Sequence, residues 1–334
     1  MKTSKAINKT IKTTTNTTTN TKIVGNKECN VSSSIWLYPG QGAQNLAMLE
    51  PVEECYFEMV AEITGRDYRV TLPDYNHTID IQLALLITQM SGTKALKTAG
   101  LQPDFVAGHS LGAFSAAACT GVLSEEDAIA LVYKRSSLME SLYPTGYGMG
   151  VIVGLTRREV ERLVEGCFTA DAPIYVSNQN EELQLTISGA WIGIDRVIQE
   201  AKENGASMAK RLSVPTPSHS ILMQPVADEL TLLAKEMHFN TPKYPYLSNC
   251  TGRLLTEKAE IVTDLIQNVV HPVQWLDMMQ VAIENRMKHF IELPPGSTLT
   301  NLVKRSYPSA LTYCVDQYGI EDTIFLFNKR SKEV

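Results

Sequence analysis

Gly108-His109-Ser110-Leu111-Gly112 has the form GxSxG. A serine so placed can attack a carbonyl, because the flanking glycines permit a sharp, strained turn that holds its hydroxyl outward. A helix starting at that turn aims its amides and positive dipole end at the same spot, where they can stabilise an oxyanion. The plain alternative is a glycine-rich turn without chemistry. A serine also needs a base, and the histidines are His77, His109, His219, His238, His271 and His289. Neighbours on such a turn point apart, which argues against His109. His219 lies in VPTPSHSILM, a loop stiffened by two prolines ahead of a helix. It is the strongest candidate, and the others stay open. His238 and His289 fall on helix or strand edges, His77 in a loop, and His271 ahead of Pro272. An α/β-hydrolase would put its histidine near the C-terminus after an acid, and a central His219 does not fit that order.

The surrounding pattern supplies the elements such a turn requires. IWLY at 35–38 is an apolar run closed by Pro39-Gly40 and predicts a buried strand. The spacing of Leu83, Leu86, Ile87 and Met90 predicts a helix over 81–98. Residues 104–110 read as a short strand, 111–123 as a small-residue helix and 125–140 as a further helix. The pattern then changes. Strands at 151–155, 173–178, 183–189 and 207–214, with helices at 157–166 and 193–205, give the order βαββαβ of a ferredoxin-like unit. Helices and short strands resume after Pro215, so the unit is an insertion. HFIEL, a Pro-Pro-Gly turn and a helix follow over 288–305. The expected organisation is a large α/β part, 34–148 and 215–320, interrupted by a small one, 149–214.

Charge and composition exclude several functions. The net charge of −6 conceals two parts: residues 1–33 hold six lysines and one glutamate, leaving −11 for the rest. The acidic body does not suit nucleic acid, which demands excess Lys and Arg. An apolar content of 44% can fill a core. No apolar run is long enough to span a membrane. Six scattered cysteines without a CxxC pair argue against zinc and against a disulfide framework, and they fit a reducing cytoplasm. The Thr/Asn-rich leader has no apolar stretch of a secretory signal and reads as a disordered basic tail.

Six motifs carry a family resemblance: PGQGAQ at 39–44, GHSLGAFSAA at 108–117, the arginine of LVYKRSSLME, PSHSILM at 217–223, HPVQW at 271–275 and ELPPGSTLT at 292–300. From about residue 35 to 305 the chain resembles the malonyl-CoA:acyl-carrier-protein acyltransferase family. YPTGYGMG at 143–150, GAF after the serine, ELPPG, and a short segment between Gln41 and Ser110 look most like the malonate decarboxylase epsilon subunit. The resemblance implies an acyltransferase fold, an α/β-hydrolase-like subdomain with an inserted ferredoxin-like one. It implies Ser110 as nucleophile, His219 as base, and the amides of Gln41 and Leu111 as the oxyanion hole. Arg135 would pair with the free malonyl carboxylate, where spacing alone reads it as a solvated helix arginine. Gln82 and Asn180 would line the site, and the Asn268 carbonyl would orient His219. The implied reaction is malonyl transfer from malonyl-CoA to an acyl-carrier protein, as a malonate decarboxylase subunit acting on that enzyme's carrier or, alternatively, as a malonyl transferase of fatty-acid or polyketide synthesis, with no metal or cofactor beyond the carrier's phosphopantetheine-type arm. A thioester hydrolase is disfavoured by the presence of Arg135, and a non-catalytic module by Ser110 and His219. An acidic carrier meeting an acidic body would need a local basic patch, and Lys210-Arg211 and Lys304-Arg305 are the candidates.

Overall fold

The computed structural model describes residues 33–332; apart from Ser33, the expected leader lies outside the described residues. In chain order the first elements are β1 (Ser34–Tyr38), α1 (Glu54–Thr64), α2 (Thr78–Thr98), β2 (Phe105–Gly108), α3 (Gly112–Thr120) and α4 (Glu125–Leu142). The inserted unit holds β3 (Tyr147–Val153), α5 (Arg157–Cys167), β4 (Ile174–Glu181), β5 (Gln184–Ala190), α6 (Trp191–Glu203) and β6 (Met208–Arg211). Then come α7 (Gln224–Ala234), β7 (Tyr246–Leu247), β8 (Leu254–Leu255), α8 (Lys258–Gln267) and α9 (Trp275–Glu284). The chain closes with β9 (His289–Glu292), α10 (Thr298–Ser306), β10 (Leu311–Cys314) and α11 (Val315–Arg330).

The larger sheet has the order β10-β9-β1-β2-β7-β8, parallel except for the β7–β8 pair. A parallel sheet is covered on both faces, and β1 demonstrates why its sequence is apolar throughout. Trp36 and Tyr38 pack among residues of α2, α3 and α4, while Ile35 and Leu37 pack against Trp275, Met278 and Val303 on the other face. Helix α2 is buried almost all round, as a central helix between layers must be.

The smaller sheet is antiparallel with the order β4-β5-β3-β6, the strand order of a ferredoxin-like unit. Alternation along β3 sets its two faces. Ile152 joins Val160, Ile187, Ile194 and Val197 in a core under α5 and α6. Met149 and Val151 face the cleft toward the larger sheet. This strand starts at Tyr147 rather than at the expected residue 151. Its first residues need a glycine at 148: a Cβ there would meet the Trp191 ring at 2.0 Å.

The insertion is clasped to the larger part at its β4 edge. Val273 N–H donates to the Ser177 carbonyl at 3.0 Å, and Gln179 N–H to the Val273 carbonyl at 3.0 Å. Arg305 forks onto Glu181 at 2.9 and 2.8 Å. At the C-terminus the expected end of the large part, residue 320, falls inside α11, which continues to Arg330. That helix is broken at Gly319, where φ is 74°, and its mixed pattern hides it from sequence periodicity.

Candidate active site

Strand β2 ends at Gly108, and the chain turns into α3 within four residues. Both motif glycines are required by close approach. A Cβ on Gly108 would lie 2.1 Å from the Gly112 carbonyl carbon, and one on Gly112 would lie 2.0 Å from the Tyr38 carbonyl oxygen. Ser110 sits between them with φ 55°, a left-handed conformation that a serine adopts only when its surroundings impose it. Its Oγ lies 2.8 Å from His219 Nε2. His219 is also left-handed, with φ 60°.

The opposite ring nitrogen of His219 is tied down. Nδ1 lies 2.6 Å from the Asn268 carbonyl and 3.2 Å from that of His271. Both are acceptors, so Nδ1 carries the proton and Nε2 presents a lone pair to the serine hydroxyl. Burial holds the imidazole far below its ordinary range, at about 3, with further downward pushes from Arg135 and His109. The neutral ring is therefore the state at physiological pH, as a general base requires.

The oxyanion expectation also has a geometric basis. Leu111 is the buried residue ahead of the first turn of α3, next in the chain to Ser110, and Gln41 follows β1 and lines the cleft together with Ser110. Neither backbone amide is taken by another group among the described residues.

Arg135, on α4, is 1% exposed. One Nη donates to Gln82 Oε1 at 2.7 Å, and Gln82 Nε2 donates onward to Gln41 Oε1 at 3.2 Å. Its Nε and second Nη have no partner among the described residues. The guanidinium sits over the Phe114 ring at 5.7 Å, and burial pushes its pKa down to about 10. A buried cation with two idle donors is costly unless something anionic comes to meet it. The sequence-only reading of a solvated helix arginine is thus wrong.

The cleft holding Ser110 and His219 has a volume of approximately 210 Å³. The smaller sheet contributes Met149, Val151 and Asn180 to its wall, and α10 contributes Leu299 and Leu302. Asn180 Oδ1 lies 2.9 Å from His109 Nε2, so the histidine beside the serine joins the two subdomains. Glu292 positions the α10 wall: its carboxylate, wholly buried, accepts the Leu299 amide at 2.9 Å and the Thr300 amide at 2.7 Å.

The family model for the acyl transferase domain matches residues 61–320. A malonyl CoA-acyl carrier protein transacylase of Bacillus subtilis (strain 168) is 32% identical over 287 residues, 82% of this chain and 90% of its own. That of Haemophilus influenzae is 34% identical over 285 residues, 80% of this chain and 90% of its own. The chain belongs to the malonyl CoA-acyl carrier protein transacylase family of acyl transferases. The transacylase of Coxiella burnetii superimposes with a TM-score of 0.83 at 31% identity, covering 89% of this acyl transferase and 98% of that chain. A type II PKS acyl-carrier protein in complex with its malonyl-transacylase gives 0.83 at 29% identity, covering 89% and 100%.

Of the eight residues named by sequence reasoning, Ser110, His219, Gln41 and Asn180 line the cleft of this acyl transferase, Gln82 links Arg135 to Gln41, the Asn268 carbonyl holds His219, and Leu111 follows Ser110 in the chain. That reasoning missed the second carbonyl, of His271, and it missed Asn249. The Asn249 carboxamide accepts the Ser110 amide at 2.9 Å and donates to the Gly108 carbonyl at 2.8 Å. The SNCTG turn around it is the one available signal, since a lone asparagine between turn residues normally serves its own loop. The basic-patch candidates need correction. Arg305 is occupied by Glu181, and Arg211 forks onto Asp195 while stacking on Trp191 at 4.6 Å. Among the described residues, only Lys210 and Lys304 of the four are exposed and free of an ion pair.

Proposed function

We propose that the protein transfers a malonyl group from malonyl-CoA to the thiol of an acyl-carrier protein through a malonyl-serine intermediate. The observation that carries this reading is the buried Arg135 with two unpartnered donors beside a Ser110–His219 pair. A planar fork of that kind matches the free carboxylate of a malonyl group and leaves a neutral acetyl group uncompensated.

The steps follow from the geometry. Ser110 Oγ attacks the thioester carbonyl as its proton passes to His219 Nε2. The Gln41 and Leu111 amides receive the oxyanion. The C–S bond breaks, His219 returns the proton to the departing CoA thiolate, and a malonyl ester remains on Ser110. The carrier thiol then loses its proton to His219, attacks the ester, and Ser110 recovers the proton as the new thioester leaves. Every proton and electron pair is accounted for without a metal or organic cofactor. The phosphopantetheine-type arm belongs to the substrate.

The similarity to malonyl CoA-acyl carrier protein transacylases, and to a malonyl-transacylase in complex with its type II PKS acyl-carrier protein, supports an acyl-carrier protein as acceptor. The finer reading, an epsilon subunit of malonate decarboxylase acting on that enzyme's carrier subunit, rests on YPTGYGMG, GAF and ELPPG. Among the described residues no helix is long and apolar enough to cross a membrane. Intact mass after incubation with malonyl-CoA or acetyl-CoA tests the chemistry: a malonyl adduct without an acetyl one supports it, and equal labelling refutes the role of Arg135. Transfer to carriers with a phosphopantetheine or a dephospho-CoA-derived arm then separates the two acceptors.

Two further outcomes are expected. Labelling of Ser110 by a fluorophosphonate should have its acid limb below that of a free imidazole, roughly pH 6.5, because burial, Arg135 and His109 all disfavour the protonated ring. Replacing Arg135 by glutamine removes one downward push, so the limb should move to higher pH; a limb that stays in place would deny the coupling. Lys304→Glu should raise the carrier KM and leave the malonyl-CoA KM unchanged, since this side chain is exposed and unpaired. Arg305→Glu should raise both, because it sets a like charge against Glu181 and loosens the clasp across the cleft. Equal behaviour of the two variants in steady-state kinetics would sink this distinction.

A further inference from the structure

We infer that Asn249 is a positioning residue for the acylation step, and that α8 uses it to hold the nucleophile in register with the base. The inference rests on Ser110 being the nucleophile. Asn249 follows β7 and is wholly buried. Its carboxamide spans the elbow: Oδ1 takes the Ser110 amide and Nδ2 gives to the Gly108 carbonyl, so the two backbone groups on either side of His109 are fixed by one planar group. The left-handed φ of Ser110 costs on the order of 1–3 kcal/mol and persists only where surrounding bonds over-determine it. These two bonds supply that restraint. They also occupy the Ser110 amide, so that it is not a further donor beside the Gln41 and Leu111 amides.

Asn249 is itself anchored by Asp264, a buried residue of α8. The Asp264 carboxylate accepts the Asn249 amide at 3.1 Å, the Cys250 amide at 2.9 Å, the Tyr246 hydroxyl at 2.8 Å and the Ser248 hydroxyl at 2.5 Å. One helical turn on, at the C-terminal end of the same helix, Asn268 presents its carbonyl to His219. The Asn268 amide donates to the Asp264 carbonyl at 2.8 Å. A single rigid element therefore fixes the serine through Asp264 and Asn249, and the histidine through Asn268. The 2.8 Å Ser110–His219 contact joins segments 109 residues apart, and α8 is the frame common to both.

The test compares wild type, Asn249→Ala and Asn249→Asp, with Ser110→Ala as control. Ser110 acylation by malonyl-CoA is followed by rapid-quench mass measurement, and Ser110 labelling by a fluorophosphonate separately. Asn249→Ala should slow acylation at saturating malonyl-CoA roughly 10- to 100-fold, the scale of a misplaced reacting group. The KM should stay within about twofold and the fluorophosphonate acid limb should not move, since His219 keeps its own carbonyls. Asn249→Asp keeps an acceptor for the Ser110 amide and should recover part of the lost rate. The inference is overturned if folded Asn249→Ala acylates at the wild-type rate, if KM rises with the rate preserved, or if the loss follows the unfolded fraction seen in thermal melts. Should wild type label with the fluorophosphonate but not with malonyl-CoA, the malonyl reading fails. Slower fluorophosphonate labelling of Asn249→Ala would then still uphold the positioning role, and unchanged labelling would overturn it.

Discussion

Ser110→Ala is expected to abolish the malonyl adduct and to lower transfer to the carrier by on the order of 10⁴-fold or more. The reasoning is geometric. Oγ is the one nucleophilic atom that the elbow presents to His219 Nε2, at 2.8 Å. The cleft holds no second hydroxyl paired to that nitrogen among the described residues. Direct attack by the carrier thiol would need the thiol to occupy the space of Oγ while malonyl-CoA still fills the cleft. Stability should change little, because alanine bears the same left-handed backbone cost as serine and Ser110 is only partly buried. The measurement is intact mass together with single-turnover transfer and a thermal melt. A variant that remains labelled by malonyl-CoA would remove Ser110 from the chemistry altogether.

Arg135→Gln should act in two opposite directions. Toward malonyl-CoA, kcat/KM should fall by roughly 150- to 5,000-fold, since the substrate carboxylate is left buried without its cation, a loss of about 3–5 kcal/mol. Acetyl-CoA should lose far less or gain, because nothing in acetyl answers the guanidinium. Toward the empty protein the same change should be stabilising. Wild type buries a cation whose Nε and one Nη have no partner among the described residues, and removing such a charge relieves a desolvation cost of about 1–4 kcal/mol. The expected pair of results is a higher melting temperature without ligand and a lost preference for malonyl over acetyl. Binding of free malonate should raise the melting point of wild type and not of the variant. A variant that melts lower and keeps its preference would contradict the assignment on both counts.

The elbow was legible because it is local. A four-residue strand, two glycines and a small-residue helix lie within twenty residues, and each rule of sequence reading applies inside that window. The ferredoxin-like insertion was legible for the same reason, since its strands and helices alternate in the order βαββαβ within about seventy residues. What escaped depends on contacts between distant segments. Asn249 reaches Ser110 across 139 residues, and Arg305 reaches Glu181 across 124. No periodicity encodes such meetings. The burial of Arg135 was hidden because α4 reads as amphipathic, with Glu125, Glu126 and Asp127 at its start, while its middle passes under α2. The family motifs repaired that gap for Arg135 but not for Arg305, whose role lies in a pairing outside any motif.

The packing of Gly108 and Gly112 bears on how this protein could drift. Neither position admits even a methyl group without moving the backbone of β1 or α3. Ser110, His219 and Arg135 are under no such compulsion, and the loss of the arginine would even favour the folded state. A duplicate gene relieved of transferase duty would therefore shed its reactive side chains while the two glycines endured. The five-residue signature is a durable mark of descent and a poor certificate of activity. A descendant that keeps both glycines but has lost the buried arginine should be judged an heir to the scaffold with a different trade.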